Sequence, residues 1–210
     1  MRIEIWADVV CPYCYIGKRR FEQALAGFEH RDEVEVVYRS FELDPFAPEH
    51  GTEPTAAVLA RKWGTDEAGA REAMRQGDRA GEAEGLVFRH HDAPHARTLT
   101  AHRLLHLALS QGRQAALLEE LLAAYFTRGE SMGDDDVLRG AAERAGLEAA
   151  AVEEVLTTDA FRDEVLADVA QARAYGASGV PFFVIDQRYG ISGAQPTEVF
   201  AQALEQARVG

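Results

Sequence analysis

Ile3, Ile5 and Ala7 alternate with Arg2, Glu4 and Trp6 at the start of the chain, the period of two expected of a strand with one buried face. From Tyr15 to Leu25 the spacing changes: Ile16, Phe21, Ala24 and Leu25 recur at helical intervals. Residues 34–41, Val-Glu-Val-Val-Tyr-Arg-Ser-Phe, are β-branched and alternating again, which predicts a second strand, parallel to the first if a helix connects them. Pro45, Pro48, Gly51 and Pro54 then punctuate a loop, and strand signals are missing until Gly179.

The intervening region reads as helical. Ala, Glu and Arg fill 55–64 and 65–85 in helix-forming mixtures, and 98–108 continues the pattern. Leu117, Leu118, Leu121, Leu122, Tyr125 and Phe126 form a stripe suited to burial. Asp134, Asp135 and Asp136 precede an apolar helical run and read as a helix cap with dipole-favoured charge. Thr158 and Asp159 open a last helix running toward Tyr175. Strands return at 179–186 and 189–192 across a short turn, followed by a helix from Pro196 to Arg208. The order is βαβ, helices, ββα: an α/β fold split by an all-helical insertion, with 1–50 and 176–210 on one side and 51–175 on the other.

Composition bounds the function. At 210 residues with 47% hydrophobic side chains, the chain can bury a full core. A formal net charge of −13 argues against nucleic acid or an anionic membrane as partner, since both rely on basic patches. The chain has no apolar run of membrane-spanning length, and Met1-Arg2-Ile3-Glu4-Ile5 lacks the pattern of a secretory leader.

The chemistry centres on Cys11 and Cys14, the two cysteines of the chain, within Asp8-Val9-Val10-Cys11-Pro12-Tyr13-Cys14. A disulfide scaffold needs several bridges and a four-sulfur zinc site needs two more thiols. The pair falls where strand becomes helix. Pro12 suits the first helical position, so Cys11 is the cap, where unpaired N–H groups and the positive end of the helix dipole favour thiolate over thiol. Cys14, nearly one turn on and screened by the helix, suits the resolving role. Three other readings stand beside this redox pair: two small buried hydrophobes, a zinc site completed by His91 and His95 or by His102 and His106, and histidines without ligand roles. In the last, His102 and His106 share a helix face and His90-His91 lies in a solvated loop. With no export pattern, a redox pair points to the cytoplasm, and no metal is expected.

Several flanking residues carry open alternatives. Lys18-Arg19-Arg20 either adds positive potential near Cys11 or forms a solvated helix face. Asp8 either disfavours a nearby thiolate, relays a proton, caps the helix or faces water. Pro181 heads an apolar strand, where it cannot donate to a ladder, so the Val180-Pro181 bond is either an ordinary trans turn or cis. In the cis case the N–H and C=O of Val180 face outward as an edge for an extended disulfide substrate.

Asp8-x-x-Cys11-Pro12-Tyr13-Cys14-x-x-Gly17, Ser178-Gly179-Val180-Pro181-Phe182-Phe183-Val184-Ile185 and Ile191-Ser192-Gly193-Ala194-Gln195-Pro196 resemble the DsbA superfamily, specifically its FrnE-like branch, over nearly the whole chain. The resemblance implies a thioredoxin fold interrupted by a helical domain, with Cys11 attacking, Cys14 resolving, Val180-Pro181 as a cis-proline loop, and Pro12 and Tyr13 meeting the substrate. Thr98-x-x-Ala101-His102-Arg103-Leu104 is also similar to the family pattern, with Arg97 where an Asn is expected. Tyr13 replaces the His between the cysteines of periplasmic relatives, so their strongly oxidising potential does not carry over.

Three functions follow. The first is a thiol–disulfide oxidoreductase or isomerase acting on protein or small-molecule thiols and disulfides, with no bound cofactor and glutathione as a candidate co-substrate. The second is a glutathione-dependent transferase or isomerase of the kappa or 2-hydroxychromene-2-carboxylate isomerase type, against which the retention of both cysteines weighs. The third is a binding protein for a small aromatic or polyketide-like ligand in a cleft lined by Phe41, Phe46 and Trp63.

Overall fold

The structure is a computed structural model and describes residues 1–209. Four strands form one sheet in the order β2-β1-β3-β4: β1 (Arg2–Ala7), β2 (Glu35–Ser40), β3 (Phe182–Ile185) and β4 (Tyr189–Ser192). β1 runs parallel to β2, with Ile5 beside Tyr38, and antiparallel to β3, with Ile5 beside Phe183. Helix α1 (Pro12–Gly27) makes the crossover between β1 and β2, and α9 (Thr197–Val209) follows β4. This is a thioredoxin fold.

The alternation read in β1 describes half of its packing. Ile3 and Ile5 enter a core that also holds Phe21 of α1, Phe183 and Phe200 of α9, whose rings meet at centroid distances of 4.6–5.9 Å. Glu4 and Trp6, which alternate with them, are buried too. The reason is α8 (Arg162–Ala174), which covers the second face of the sheet. Trp6 Nε1 donates to the Asp168 carbonyl at 2.8 Å, and the Asp168 carboxylate accepts from Ser40 N at 2.9 Å and lies 3.3 Å from Arg39 Nη1, while Arg39 Nε donates to Glu4 at 2.9 Å. A strand between a helical layer on each face is buried on both sides, as in parallel sheets.

The chain between β2 and β3 is helical: α2 (Thr55–Trp63), α3 (Glu67–Glu82), α4 (Leu99–Ser110), α5 (Gln114–Leu122), α6 (Asp135–Arg144), α7 (Ala149–Thr157) and α8. Local signals placed most of the ends. Gly64 closes α2 with φ 68°, and the Asp134 carboxylate caps α6 by accepting from Asp136 N at 2.9 Å. Two expectations are corrected, the start of the last insertion helix and the place of His90, while the apolar stripe is buried as read. The last insertion helix starts at Arg162, not at Thr158-Asp159, because the buried Arg103 guanidinium collects the carbonyls of Val155, Thr158 and Ala160 and holds that segment out of helix. The apolar stripe passes from α5 into a π-helical turn, Ala123–Thr127, which carries Tyr125 and Phe126. His90 is not in a solvated loop: it sits in a 3₁₀ turn at 4% exposure, its ring against Phe88, Tyr125 and Phe126. Burial and the neighbouring His91 push its pKa down to about 3.

Lys18-Arg19-Arg20 proves to be neither an exposed face nor a free source of positive potential. Lys18 Nζ is buried and pairs with Glu22 at 2.6 Å and with Glu119 of α5 at 2.7 Å, Arg19 Nη1 donates to Glu119 at 3.0 Å, and Arg20 Nε donates to Glu84 at 2.6 Å. The three cations tie α1 to the insertion. Burial alone would raise the Glu119 carboxyl, but hydrogen bonds from Arg19, Lys18 and Tyr15 bring it from its ordinary 4.5 to about 2. Between those values the unfolded chain holds the proton more tightly than the folded one, so this stabilisation is complete above about pH 4.5 and is lost as pH falls toward about 2. Glu119→Gln is expected to cost about 1–2 kcal/mol at neutral pH, between the exposed and buried limits for ion pairs, and to flatten the acid limb of a urea-unfolding series between pH 5 and 2. An acid limb identical to wild type would count against the network.

Candidate active site

β1 delivers the chain into a tight turn at its C-terminal end: Cys11 N donates to the Asp8 carbonyl at 3.1 Å. Cys11 then stands at the N-cap of α1 with φ −94° and ψ 115°, Pro12 takes the first helical position, and Cys14 N and Tyr15 N return to the Cys11 carbonyl at 3.0 and 3.3 Å. No side chain caps this end of α1 and no carboxylate occupies its first turn, so the positive end of the helix is left to the Cys11 sulfur. Both thiols are free, and each is only 4% exposed, packed with Ala7 and Val180.

The loop before β3 packs against Cys11. Val180-Pro181 is cis, and Cys11 Sγ lies 3.6 Å from the Val180 carbonyl oxygen. Gly193, with φ 80°, donates its N–H to the Pro181 carbonyl at 2.8 Å and fixes the loop to the end of β4. Gly17 completes the fit: a Cβ there would meet Pro181 Cγ at 3.0 Å and Ala194 at 3.4 Å. This contact gives the Gly of the motif a physical reason. Tyr13 is 46% exposed beside the thiols, and Pro12 lies under Gly77 of α3, whose absent Cβ would be 3.4 Å away.

The two thiols occupy unlike surroundings. Burial pushes the Cys14 thiol well up, and its hydrogen bond to Cys11, the Cys11 charge and the Asp8 charge push it the same way, against a backbone hydrogen bond at Asp8 that lowers it. Cys14 is thus held as a thiol. Asp8 takes none of its exposed roles: it is fully buried, its Oδ2 accepts from Leu43 N at 2.8 Å, and its Oδ1 lies 3.2 Å from His102 Nε2 on α4.

The sequence-derived zinc sets do not assemble. His95 Nε2 meets Asp44 at 2.7 Å, His102 meets Asp8, His106 Nε2 lies 3.0 Å from Asp168, and His91 approaches Asp78 at 2.9 Å. The aromatic cleft is likewise rearranged. Phe46 projects from the surface at 95% exposure and Phe41 packs against the Trp6 cluster, whereas Trp63 lines a cavity of about 240 Å³ beside the cysteine turn, with Val10, Leu43, Lys62 and His95. Sequence reasoning missed Glu42, the bidentate partner of Arg97 at 2.8 and 3.0 Å, and Glu119, because an ion partner distant in sequence leaves no local pattern. Among the described residues, no helix is long and apolar enough to cross a membrane.

A helix-capping thiol, its partner one turn behind, and a cis-proline loop against the first sulfur form the candidate site of this thioredoxin fold. The family model of the DSBA-like thioredoxin domain matches residues 2–205, and the chain belongs to that family. It is similar over its whole length, and over 90% of the other chain, to the probable DsbA oxidoreductase SCO1869 from Streptomyces coelicolor, with 48% identity and a TM-score of 0.93. The uncharacterized protein YwbO of Bacillus subtilis (strain 168) is 28% identical over 97% of this chain and 96% of its own. The cytosolic disulfide reductase DsbM from Pseudomonas aeruginosa, solved with GSH, shares the fold at 19% identity and a TM-score of 0.70, covering 99% of this chain and all of its own.

Two measurements test the geometry. Asp8→Asn in a Cys11→Ser background, where Cys14 is the sole thiol, removes a charge that raises Cys14; the thiolate absorbance of Cys14 is expected to titrate at lower pH than in Cys11→Ser alone, and an unmoved midpoint would take Asp8 out of the account. Gly17→Ala forces Pro181 and Ala194 away, with an expected cost of about 1–3 kcal/mol in denaturant unfolding and a slower disulfide exchange; wild-type values for both would show that the contact yields freely.

Proposed function

We propose that this protein is a cytoplasmic thiol–disulfide oxidoreductase and isomerase whose reaction runs through Cys11 and Cys14. The observation that carries the reading is the Cys11 sulfur at the uncapped positive end of α1, 3.6 Å from the Val180 carbonyl, with Cys14 held as a thiol behind it. The Cys11 thiolate attacks one sulfur of a substrate disulfide; that S–S bond breaks, the other substrate sulfur leaves as a thiolate and takes a proton, and a mixed disulfide forms. Cys14 then gives up its proton and attacks Cys11 Sγ, releasing the second substrate thiol and leaving the Cys11–Cys14 disulfide. The same steps in reverse oxidise a dithiol. Isomerisation needs only the first step and its reversal at another sulfur of the substrate. Val180 and Pro181 border the incoming chain, and Pro12 and Tyr13 contact it from the helix side.

Protein and small-molecule disulfides are the substrates proposed, with glutathione as the co-substrate that returns the pair to dithiol. The fold shared with DsbM, described as a cytosolic disulfide reductase and solved with GSH, supports that choice and the cytoplasmic assignment. The net charge of −13 supports partners other than nucleic acid or anionic membranes.

The test is reduction of insulin disulfides and refolding of a scrambled disulfide substrate. Wild type is expected to catalyse both, Cys11→Ser to lose both, and Cys14→Ser to accumulate a mixed disulfide visible by mass spectrometry. Undiminished activity in Cys11→Ser would remove the proposal. Glutathione transfer surviving in Cys14→Ser would favour the kappa-type reading, and inert thiols with a copurifying small molecule would favour the binding protein.

A further inference from the structure

Among the described residues, four buried side-chain polar atoms lack a hydrogen-bond partner, and three of them belong to one cluster: Asp78 Oδ1, His90 Nδ1 and His91 Nε2. Buried polar groups are nearly always satisfied, so three orphans in one place call for a common partner. Asp78 lies on α3, and the two histidines occupy the 3₁₀ turn His90–Asp92 that packs against the π-helical turn. One ligating atom from each residue lies within 4.8 Å of the other two. His91 Nε2 comes to 2.9 Å from Asp78 Oδ2 without the alignment of a hydrogen bond. The other carboxylate of the turn, Asp92, is engaged by Arg71 and stands outside the set.

We infer that Asp78, His90 and His91 form a binding site for a divalent first-row transition metal ion, with zinc the best match. Two imidazole nitrogens and one carboxylate oxygen suit zinc, copper, nickel or cobalt and not calcium or magnesium, which take oxygen ligands. Metal–ligand bonds of about 2.0–2.2 Å set tetrahedral donors roughly 3.3–3.6 Å apart. The cluster brackets that spacing, with 2.9 Å on one edge and at most 4.8 Å on any. Three protein ligands leave the fourth position to water. His90 enters from a nest of aromatic rings, Phe88, Tyr125 and Phe126, which restricts its orientation.

The position gives the ion a role. Asp78 follows Gly77, the residue of α3 that lies over Pro12 between the two cysteines. An ion there ties α3 to the 90–92 turn and braces the wall above the cysteine motif, without touching either thiol.

Because thiols bind zinc themselves, the titration uses the Cys11→Ser/Cys14→Ser protein, so its outcome is independent of the redox reading. Isothermal calorimetry with zinc chloride is expected to give one ion per chain, and Asp78→Asn and His91→Gln are each expected to weaken binding by more than about tenfold, while the remote His30→Gln leaves it unchanged. Zinc is also expected to raise the melting temperature of the parent and not of Asp78→Asn. No stoichiometric binding by the parent, or unchanged affinity in both ligand variants, would overturn the site. Cobalt substitution adds an independent readout: a visible spectrum of nitrogen and oxygen ligation supports the assignment, and its absence counts against it.

Discussion

A carboxylate buried at the end of the first strand cannot remain there alone, and Asp8 is the point on which the rest of the structure converges. Moving an ionised group out of water costs several kcal/mol unless donors replace the lost solvent. Here the donors come from two sides: Leu43 N, on the loop that leaves β2, and His102 on α4 of the insertion. The Asp8 carbonyl also holds Cys11 N. One residue therefore binds the turn that carries the thiols, the sheet and the helical insertion into a single arrangement, and its charge contributes to keeping Cys14 protonated.

The two lobes are joined by more than apolar contact. α1 reaches the insertion through Lys18, Arg19 and Arg20, and the sheet reaches α8 through Trp6, Arg39 and Ser40 converging on Asp168. Ion pairs of this kind contribute modestly to stability when half exposed, but they are directional and fix how one helix lies on another. Between the α1 end, the Val180-Pro181 loop and α3 at Gly77, both sulfurs are buried.

The elements with strong local signals were legible from the chain. Alternation in 34–41, the Pro12 start of α1, Gly64 after α2 and the Asp134 cap all rest on interactions between residues a few positions apart, which sequence spacing encodes. The failures share a different cause. Alternation in β1 does not show that Trp6 and Glu4 are buried, because nothing near them in sequence announces α8, and the burial of His90 rests on Phe88, Tyr125 and Phe126, which meet only after folding. Arg103 displaced the start of α8 from nearly sixty residues away, by taking carbonyls that a helix would have used: 57 positions separate it from Ala160.

By itself the sequence determined that Cys11 caps a helix behind a strand with Cys14 in its first turn, that a proline heads a late strand, and that a helical stretch divides a βαβ unit from a ββα unit, because each of these is a matter of short-range periodicity and of what proline and glycine permit. Only the tertiary structure decided what the charges do. Whether Asp8 faces water or His102, whether Lys18 is free or matched by Glu119, and whether Asp78 meets His90 and His91 depends on which remote segments are brought together, and electrostatic energy is a function of that distance and of the burial around it, not of position along the chain.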